Sequence, residues 1–265
     1  LSYTHNLSDP IVLKFGGASV ANIEQFDVIA ELILDARRSF KKVLVVISAM
    51  QGITDQLTQL AFSISKKPPK REMDMLLSVG ERISMSLLAM ALEKKGHSAV
   101  SFTGSQSGII TCGGHTEAYI IDVRPIRLKS HLDLGDIVIV AGFQGVSLEK
   151  EITTLGRGGS DTTAVALAAS LGGKKVIFYK DVPGIFDRDP KIFADAKHLQ
   201  KLEYRDALKL ADQGAKILHP RSILLAEKNG VELDVRSFKE EGRTVVGQPV
   251  GAIEPTFEKA LTPSQ

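Results

Sequence analysis

Short unbroken apolar runs along this chain are separated by longer stretches in which apolar residues recur every three or four positions. Ile11–Phe15, Val43–Ile47, Ala99–Phe102, Ile137–Gly145 and Lys175–Tyr179 are rich in β-branched side chains and too short for helices, so they predict strands buried on both faces of a sheet. Helical spacing runs from Asn22 through Ile23, Phe26, Ile29, Ile33 and Leu34, and a second helix is expected to open at Thr54. A long one is predicted from Glu72 to Lys95 on Met75, Leu76, Val79, Ile83, Leu87 and Met90. Further helices are predicted over 160–171, over 202–211 and after Gly214, where Pro220 suits a first turn; 231–236 and 244–246 read as strands. The stretch from Ile109 to His131 fits neither period well and is expected to hold a hairpin with a strand-like Ala118–Ile121. Strands alternating with helices predict an α/β fold, a mainly parallel sheet covered on both faces.

Composition narrows the function. The 265 residues are 43% hydrophobic and 24% charged, which argues for a folded chain with a large core. The balance of 33 basic and 31 acidic residues, net +2, shows no nucleic-acid surface. Cys112 is the sole cysteine, so an internal disulfide and a cysteine zinc cluster are excluded, and the six histidines show no metal-ligand spacing. Residues 1–10 do not read as a secretory signal, and no apolar run is expected to reach membrane-spanning length; the expected location is cytoplasmic. The first residue is Leu rather than Met, so 265 is not taken as a natural length.

The richest chemistry lies in Thr153–Ala164, TTLGRGGSDTTA, running into the apolar segment Val165–Ala169. Ser160 or Asp161 is positioned to cap the helix that follows. The glycines permit close backbone approach, the helix N-terminus favours an anion, and Arg157 adds a fork suited to carboxylate or phosphate. Taken alone, the motif reads equally well as a plain turn. Lys14 ends the first strand beside Gly16-Gly17-Ala18-Ser19, where an ammonium can sit next to phosphate oxygens; neither the Walker nor the Rossmann glycine spacing is present, and a surface lysine is the plainer alternative. Ser48 and Thr54 fall at the carboxyl end of the second strand, the ligand-binding edge of open α/β sheets, although Thr54 could simply cap a helix. Gly80 interrupts the long helix and implies a close approach or a restart at Glu81, which is otherwise a solvated glutamate. Lys180-Asp181-Val182-Pro183-Gly184-Ile185-Phe186 makes a sharp turn after a buried strand and offers Phe186 to a base, or is a loop of solvated charges.

Together, Lys14–Val20, Gly80-Glu81, Thr153–Ala164, Asp181–Phe186 with Asp189-Pro190, and Gly214-Ala215-Lys216-Ile217-Leu218-His219-Pro220 resemble the aspartate kinases of the amino acid kinase family, over about Ile11 to Gly247. The resemblance implies a three-layer αβα sandwich with two lobes, an amino-acid-binding lobe at about 11–150 and an ATP-binding lobe at about 151–250. It implies transfer of the ATP γ-phosphoryl group to the β-carboxylate of L-aspartate, giving 4-phospho-L-aspartate on the way to lysine, threonine, methionine and diaminopimelate. Lys14 and Asp161 would be catalytic. Ser48, Thr54, Glu81, Arg157 and Ser160 would hold aspartate, with Glu81 on its ammonium and Arg157 on a carboxylate. Lys14, Gly16, Gly17, Ser19, Lys180, Asp181, Phe186, Lys191 and Lys216 would contact ATP, and Mg²⁺ would be held mainly by the phosphates rather than by side chains.

A homodimer is the implied assembly. Ala18, Phe186 and Lys191 stand where the family commonly has threonine, tyrosine and arginine. No regulatory ACT domain follows in this chain, so feedback inhibition by lysine or threonine is expected to be absent. The alternatives are a family kinase acting on another acceptor and a non-catalytic amino-acid or nucleotide sensor of the same fold.

Overall fold

The computed structural model describes residues 9–190, 192–215, 217–247 and 255–258. In chain order the first half contains β1 (Ile11–Phe15), a 3₁₀ turn (Gly17–Val20), α1 (Glu24–Ser39), β2 (Val43–Ile47), α2 (Ile53–Ile64), α3 (Lys70–Leu77), α4 (Val79–Lys94) and β3 (Ala99–Phe102). Then come β4 (Ile109–Thr111), β5 (Ile120–Val123), α5 (Ile126–Leu134), β6 (Ile137–Ala141), β7 (Gln144–Ser147) and β8 (Ile152–Thr154). The second half adds α6 (Gly159–Leu171), β9 (Lys175–Lys180), β10 (Ile185–Phe186), β11 (His198–Leu199), β12 (Lys201–Leu202), α7 (Tyr204–Asp212), α8 (Pro220–Asn229), β13 (Glu232–Ser237) and β14 (Arg243–Val246).

Eight strands form one sheet in the order β12-β14-β13-β9-β1-β2-β6-β3, parallel throughout except for the β13–β14 pair. Successive side chains of a strand point to opposite faces. Leu13, Phe15, Val45, Ile47 and Ile139 therefore pack under α1 and α4, while Val12, Leu44, Val46, Val140 and Phe178 pack under α5, α6 and α8. Every residue of β2 is fully buried, and each such side chain contributes roughly 2 kcal/mol of apolar transfer, which is why the strand is apolar without interruption.

The strand order reverses direction between β1 and β9: the chain moves outward one way from β1 through β2 and the other way from β9 through β13. A crevice opens at the carboxyl ends of strands flanking such a point. Phe15 and Tyr179 stack there at 4.8 Å with planes 1° apart, and the Ser19 hydroxyl donates to the Tyr179 carbonyl at 3.1 Å. These contacts tie the two strands together below the crevice.

Several expectations are corrected. The apolar run ending at Gly145 is two strands: β6 stops at Ala141, Phe143 takes a φ of 70°, and β7 leaves for a separate four-stranded sheet ordered β5-β4-β7-β8. The expected strand at Ala118–Ile121 is shifted to Ile120–Val123, and α5, within the stretch that fitted neither period, was not foreseen. The long helix starts at Lys70 and breaks at Ser78; it restarts at Val79 rather than Glu81. Gly80 lies inside α4 because a Cβ there would come within 2.8 Å of the Ala49 Cβ, the close approach anticipated as the other possibility. Neither Ser160 nor Asp161 caps α6. Gly158 occupies the cap in a left-handed conformation, and both residues lie in the first turn. Gly52 likewise takes the cap position at α2 instead of Thr54.

Taken across the break at Ser78, the helical stretch Lys70–Lys94 is by length and composition long and apolar enough to cross a membrane, contrary to expectation; 44% of its most apolar window is buried within the molecule. Its apolarity reflects packing of α4 on α1 and on the sheet.

Candidate active site

A cavity of about 800 Å³ opens at the strand reversal, lined among others by Lys14, Ser48, Thr54, Glu81, Arg157, Ser160 and Asp161. These residues come from β1, from the loop after β2, from α2, from α4 and from the loop and first turn of α6. They are separated by up to 147 residues in sequence, and only the closing of one sheet around β1 brings them together. The cavity is thus built from both sides of residue 150.

Lys14 and Asp161 form a buried ion pair at 2.6 Å, and Lys180, from the end of β9, reaches the other carboxylate oxygen at 3.3 Å. Burial by itself would raise the Asp161 pKa, but the two ammonium groups outweigh it and hold the carboxylate at about 2. Burial lowers the pKa of Lys14, with Lys180 adding to that effect against the opposing pull of Asp161. The cluster carries an excess positive charge next to open space, an arrangement that a phosphate or carboxylate would complete. Gly16 permits it, since a Cβ there would stand 3.3 Å from the Lys14 Nζ.

Glu81 presents the opposite imbalance. One carboxylate oxygen accepts from the Ala49 N–H at 3.1 Å, while the other is buried with no partner. Desolvation pushes its pKa up to about 7, against the lowering effects of the Ala49 bond and of Lys14. An unpartnered buried carboxylate costs free energy that a donor from a ligand would recover. Arg157, which lines the same cavity, is exposed, and its guanidinium makes no bond among the described residues. The cavity therefore offers a carboxyl at Glu81 with one oxygen open and, among the described residues, an unpartnered cation at Arg157.

A second cavity of about 640 Å³ is lined by Lys180, Asp181, Phe186, Pro190 and Gly214. Its aromatic wall is Phe186, tilted against His198 at 5.2 Å. A connecting space of about 480 Å³ shares Arg157, Gly158 and Asp161 with the first cavity, and Gly214 and Ala215 with the second. The three form one cleft with the Lys14–Asp161–Lys180 cluster near its middle.

Other sequence-predicted site residues fall less centrally. Gly17 lines the first cavity; Gly16 abuts it through Lys14; Ser19 is buried, with its hydroxyl committed to Tyr179. Lys191 and Lys216 lie outside the described residues. Sequence reading missed Thr116, Phe143 and Thr154, all on the cavity wall. Thr116 and Phe143 carry positive φ values of 71° and 70°, a conformation that side chains of their shape rarely adopt and that no local motif announces. It also missed Asp74, a fully buried carboxylate that accepts from the Thr116 N–H, the Thr154 hydroxyl and the His115 ring, thereby fixing that wall. Its place in an amphipathic helix resembles that of a surface acid. His219 packs against Gly158, where a Cβ would meet the ring at 2.1 Å, so Gly158 is required both for its φ of 70° and for this contact. Among the described residues no cluster of three His, Cys, Asp or Glu side chains could hold a metal ion.

Residues 9–237 match the amino acid kinase family, and the chain belongs to that family. Among curated relatives, the aspartokinase of Mycolicibacterium smegmatis is 50% identical over 238 residues, covering 89% of this chain and 56% of the relative. Among solved structures, aspartate kinase from Synechocystis aligns with a TM-score of 0.82 at 42% identity, covering 93% of this chain and 41% of that one. E. coli aspartokinase III in complex with aspartate and ADP aligns with a TM-score of 0.81 at 27% identity, covering 92% and 65%. The chain thus spans little more than half the length of the curated relatives it matches.

Proposed function

We propose that this domain is the catalytic part of an aspartate kinase, transferring the γ-phosphoryl group of ATP to the β-carboxylate of L-aspartate to give 4-phospho-L-aspartate and ADP. The observation that carries this reading is that Glu81, with one buried carboxylate oxygen unpartnered, and Arg157, a cation without a partner among the described residues, line one cavity that also contains Lys14. An amino acid supplies complementary groups for both, an ammonium for Glu81 and a carboxylate for Arg157. A dicarboxylic amino acid has a second carboxylate left over to face Lys14. The identity to aspartokinases supports the same choice of substrate.

The chemistry then needs little from the protein beyond positioning and charge. A β-carboxylate is ionised near neutrality, its reference pKa being about 3.9, so no general base is required. The difficulty is bringing two anions together. Lys14 and Lys180, organised by Asp161, supply positive charge where the phosphoryl group passes. The nucleotide is assigned to the cavity holding Lys180, Asp181 and Phe186, with the Phe186 ring offered to the base. Lys191 and Lys216 remain proposed phosphate contacts, and Gly16, Gly17 and Ser19 shape the turn beside Lys14. Ser48, Thr54 and Ser160 provide hydroxyls around the amino acid. Mg²⁺ suits the site as an ion carried by the phosphates, since Mg²⁺ commonly keeps few protein ligands. In this reading residues 11–150 mainly supply the amino-acid lobe and 151–250 the nucleotide lobe, the protein acts in the cytoplasm, and it pairs as a homodimer.

The test is trapping of the acyl phosphate as a hydroxamate in the presence of ATP, Mg²⁺ and one candidate acceptor at a time. Aspartate should give the hydroxamate; glutamate, acetylglutamate and a nucleoside monophosphate should not be phosphorylated. A folded chain that binds aspartate but leaves it unphosphorylated would favour a sensor, and phosphorylation of another acceptor alone would reassign the substrate.

A further inference from the structure

Arg157 sits between two glycines, Gly156 and Gly158, both with φ near 70°, in a loop whose own side chains anchor it only at the buried Leu155, with the Thr162 hydroxyl donating to the Gly158 carbonyl at 3.2 Å. Such a loop needs fixing from outside if the guanidinium is to meet a carboxylate in one place. Further fixing comes from the first turn of α8. Downstream of Arg157, the His219 ring packs on Gly158, and its Nδ1 accepts from the Arg221 N–H at 3.3 Å. Upstream, the Arg221 guanidinium donates to the Leu155 carbonyl and, at 3.0 Å, to the Ala118 carbonyl. The Ala118 N–H donates in turn to the Thr154 carbonyl at 2.9 Å.

Arg221 is held in that pose by a residue far along the chain. Its Nε and Nη2 donate to the two carboxylate oxygens of Glu258 at 2.8 and 3.0 Å, a bidentate pair whose side chains are 28% and 15% exposed. Glu258 also accepts from the Ile120 N–H at 2.9 Å. The short segment 255–258 is itself docked: Thr256 exchanges two hydrogen bonds with the Asn229 side chain, and Phe257 packs against the core beside α8. The planar fork of arginine matches a carboxylate and two carbonyls at once; a lysine cannot.

We propose that Glu258 and Arg221 form a clamp that positions the Leu155–Gly158 loop and thereby sets the affinity of Arg157 for the amino-acid carboxylate. Both are positioning residues, because neither lines the cleft. The substrate half of this statement rests on the reading of Arg157 given above; the mechanical half does not.

The experiment compares the unmutated chain with Glu258→Ala, Glu258→Gln and Arg221→Lys in two arms. Hydrogen exchange without any substrate follows the amides of Leu155 and Gly159, which are bonded to the Phe143 and Gly156 carbonyls. Glu258→Ala and Arg221→Lys should accelerate exchange there, and Glu258→Gln, which keeps an acceptor oxygen, should fall between. In the kinetic arm, KM for aspartate should rise about tenfold, with kcat and KM for ATP within about twofold. Should Glu258→Ala free residues 255–258 yet leave the Leu155 and Gly159 amides protected, the clamp is refuted. Equal losses in both KM values together with a lowered Tm would reduce the pair to a stability role and refute it as well. If the unmutated chain does not phosphorylate aspartate, the exchange arm still decides the clamp, while the failure falls on the proposed function.

Discussion

Two buried ionic clusters hang from the same strand, β9, and they differ in one respect. At its amino end Lys175 meets Glu232 at 2.7 Å and Asp234 at 3.5 Å, and Asp234 is further gripped by Arg236 at 2.8 and 3.0 Å and by Arg243 at 3.0 Å. At its carboxyl end Lys180 and Lys14 share Asp161 beside a cavity also lined by Glu81 and Arg157, and among the described residues one Glu81 oxygen and the Arg157 guanidinium have no partner. In the first cluster each acid is ion-paired by the protein's own cations, although Glu232 Oε1 faces Lys175 without hydrogen-bond geometry; the second has excess positive charge, and one Glu81 oxygen has neither an ion pair nor a hydrogen bond among the described residues. Charge inventory alone does not distinguish a structural network from a site. What distinguishes them is whether the protein itself supplies every partner.

Substitutions sharpen the contrast, beginning with the largest effect on activity. Lys14→Ala should lower kcat for aspartyl hydroxamate formation by about 10³-fold, as loss of a preorganised charge in a dry site does, while the chain remains folded by circular dichroism. Glu81→Gln keeps the acceptor for Ala49 but loses the charge. KM for aspartate should rise roughly 50-fold, the value of a charge-assisted bond.

The same carboxyl gives a pH signature. With a pKa of about 7 in the folded state, Glu81 is protonated below neutrality, so kcat/KM for aspartate should fall about tenfold per pH unit below 7, and this limb should vanish in Glu81→Gln. The stability effect has the opposite sign. A carboxyl whose folded pKa is raised from 4.5 to about 7 destabilises the fold above pH 7 and is relieved as pH falls toward 4.5. Glu81→Gln should therefore stabilise the chain at pH 8, by up to about 3 kcal/mol in urea unfolding, even as it impairs turnover.

Ala18 lines the first cavity without a hydroxyl, and Ala18→Thr should raise kcat by about two- to threefold if that position faces the transferring group. At the end of the series, Asp234→Asn should leave kcat and both KM values within about twofold but cost about 3 kcal/mol of stability, because three cations then lose their buried partner. A large kinetic effect there, measured at a temperature where the variant is folded, would break the distinction between the clusters. The pH sense of that network also differs from Glu81's. Burial works to raise the Asp234 pKa, but Arg236, Arg243 and Lys175 overcome it and hold the carboxyl below its usual range; the stability it lends is present above about pH 4 and lost as pH falls further.

Much of this was legible from the chain. Strands such as Val43–Ile47 are apolar at every position because both faces are covered, and that requirement is written locally. The residues with unusual chemistry in glycine-rich contexts, Lys14, Glu81, Arg157 and Asp161, could be picked out before any coordinates, and one cleft gathers them. Phe143 was hidden because a positive φ in a phenylalanine has no sequence signal, so one apolar run was read as one strand where the chain turns into a second sheet. Asp74 was hidden because its partners, Thr116 and Thr154, lie 42 and 80 residues away.

The sequence by itself determined the alternation of strands and helices, the parallel character of the sheet and the identities of the charged groups available for chemistry, since each depends on side-chain type and short-range period. Only the tertiary structure decided which charges stay open and which are closed. Whether Lys175 finds two acids while Arg157 finds none among the described residues depends on strand order and register, and those are set by burying the whole sheet at once rather than by any segment alone.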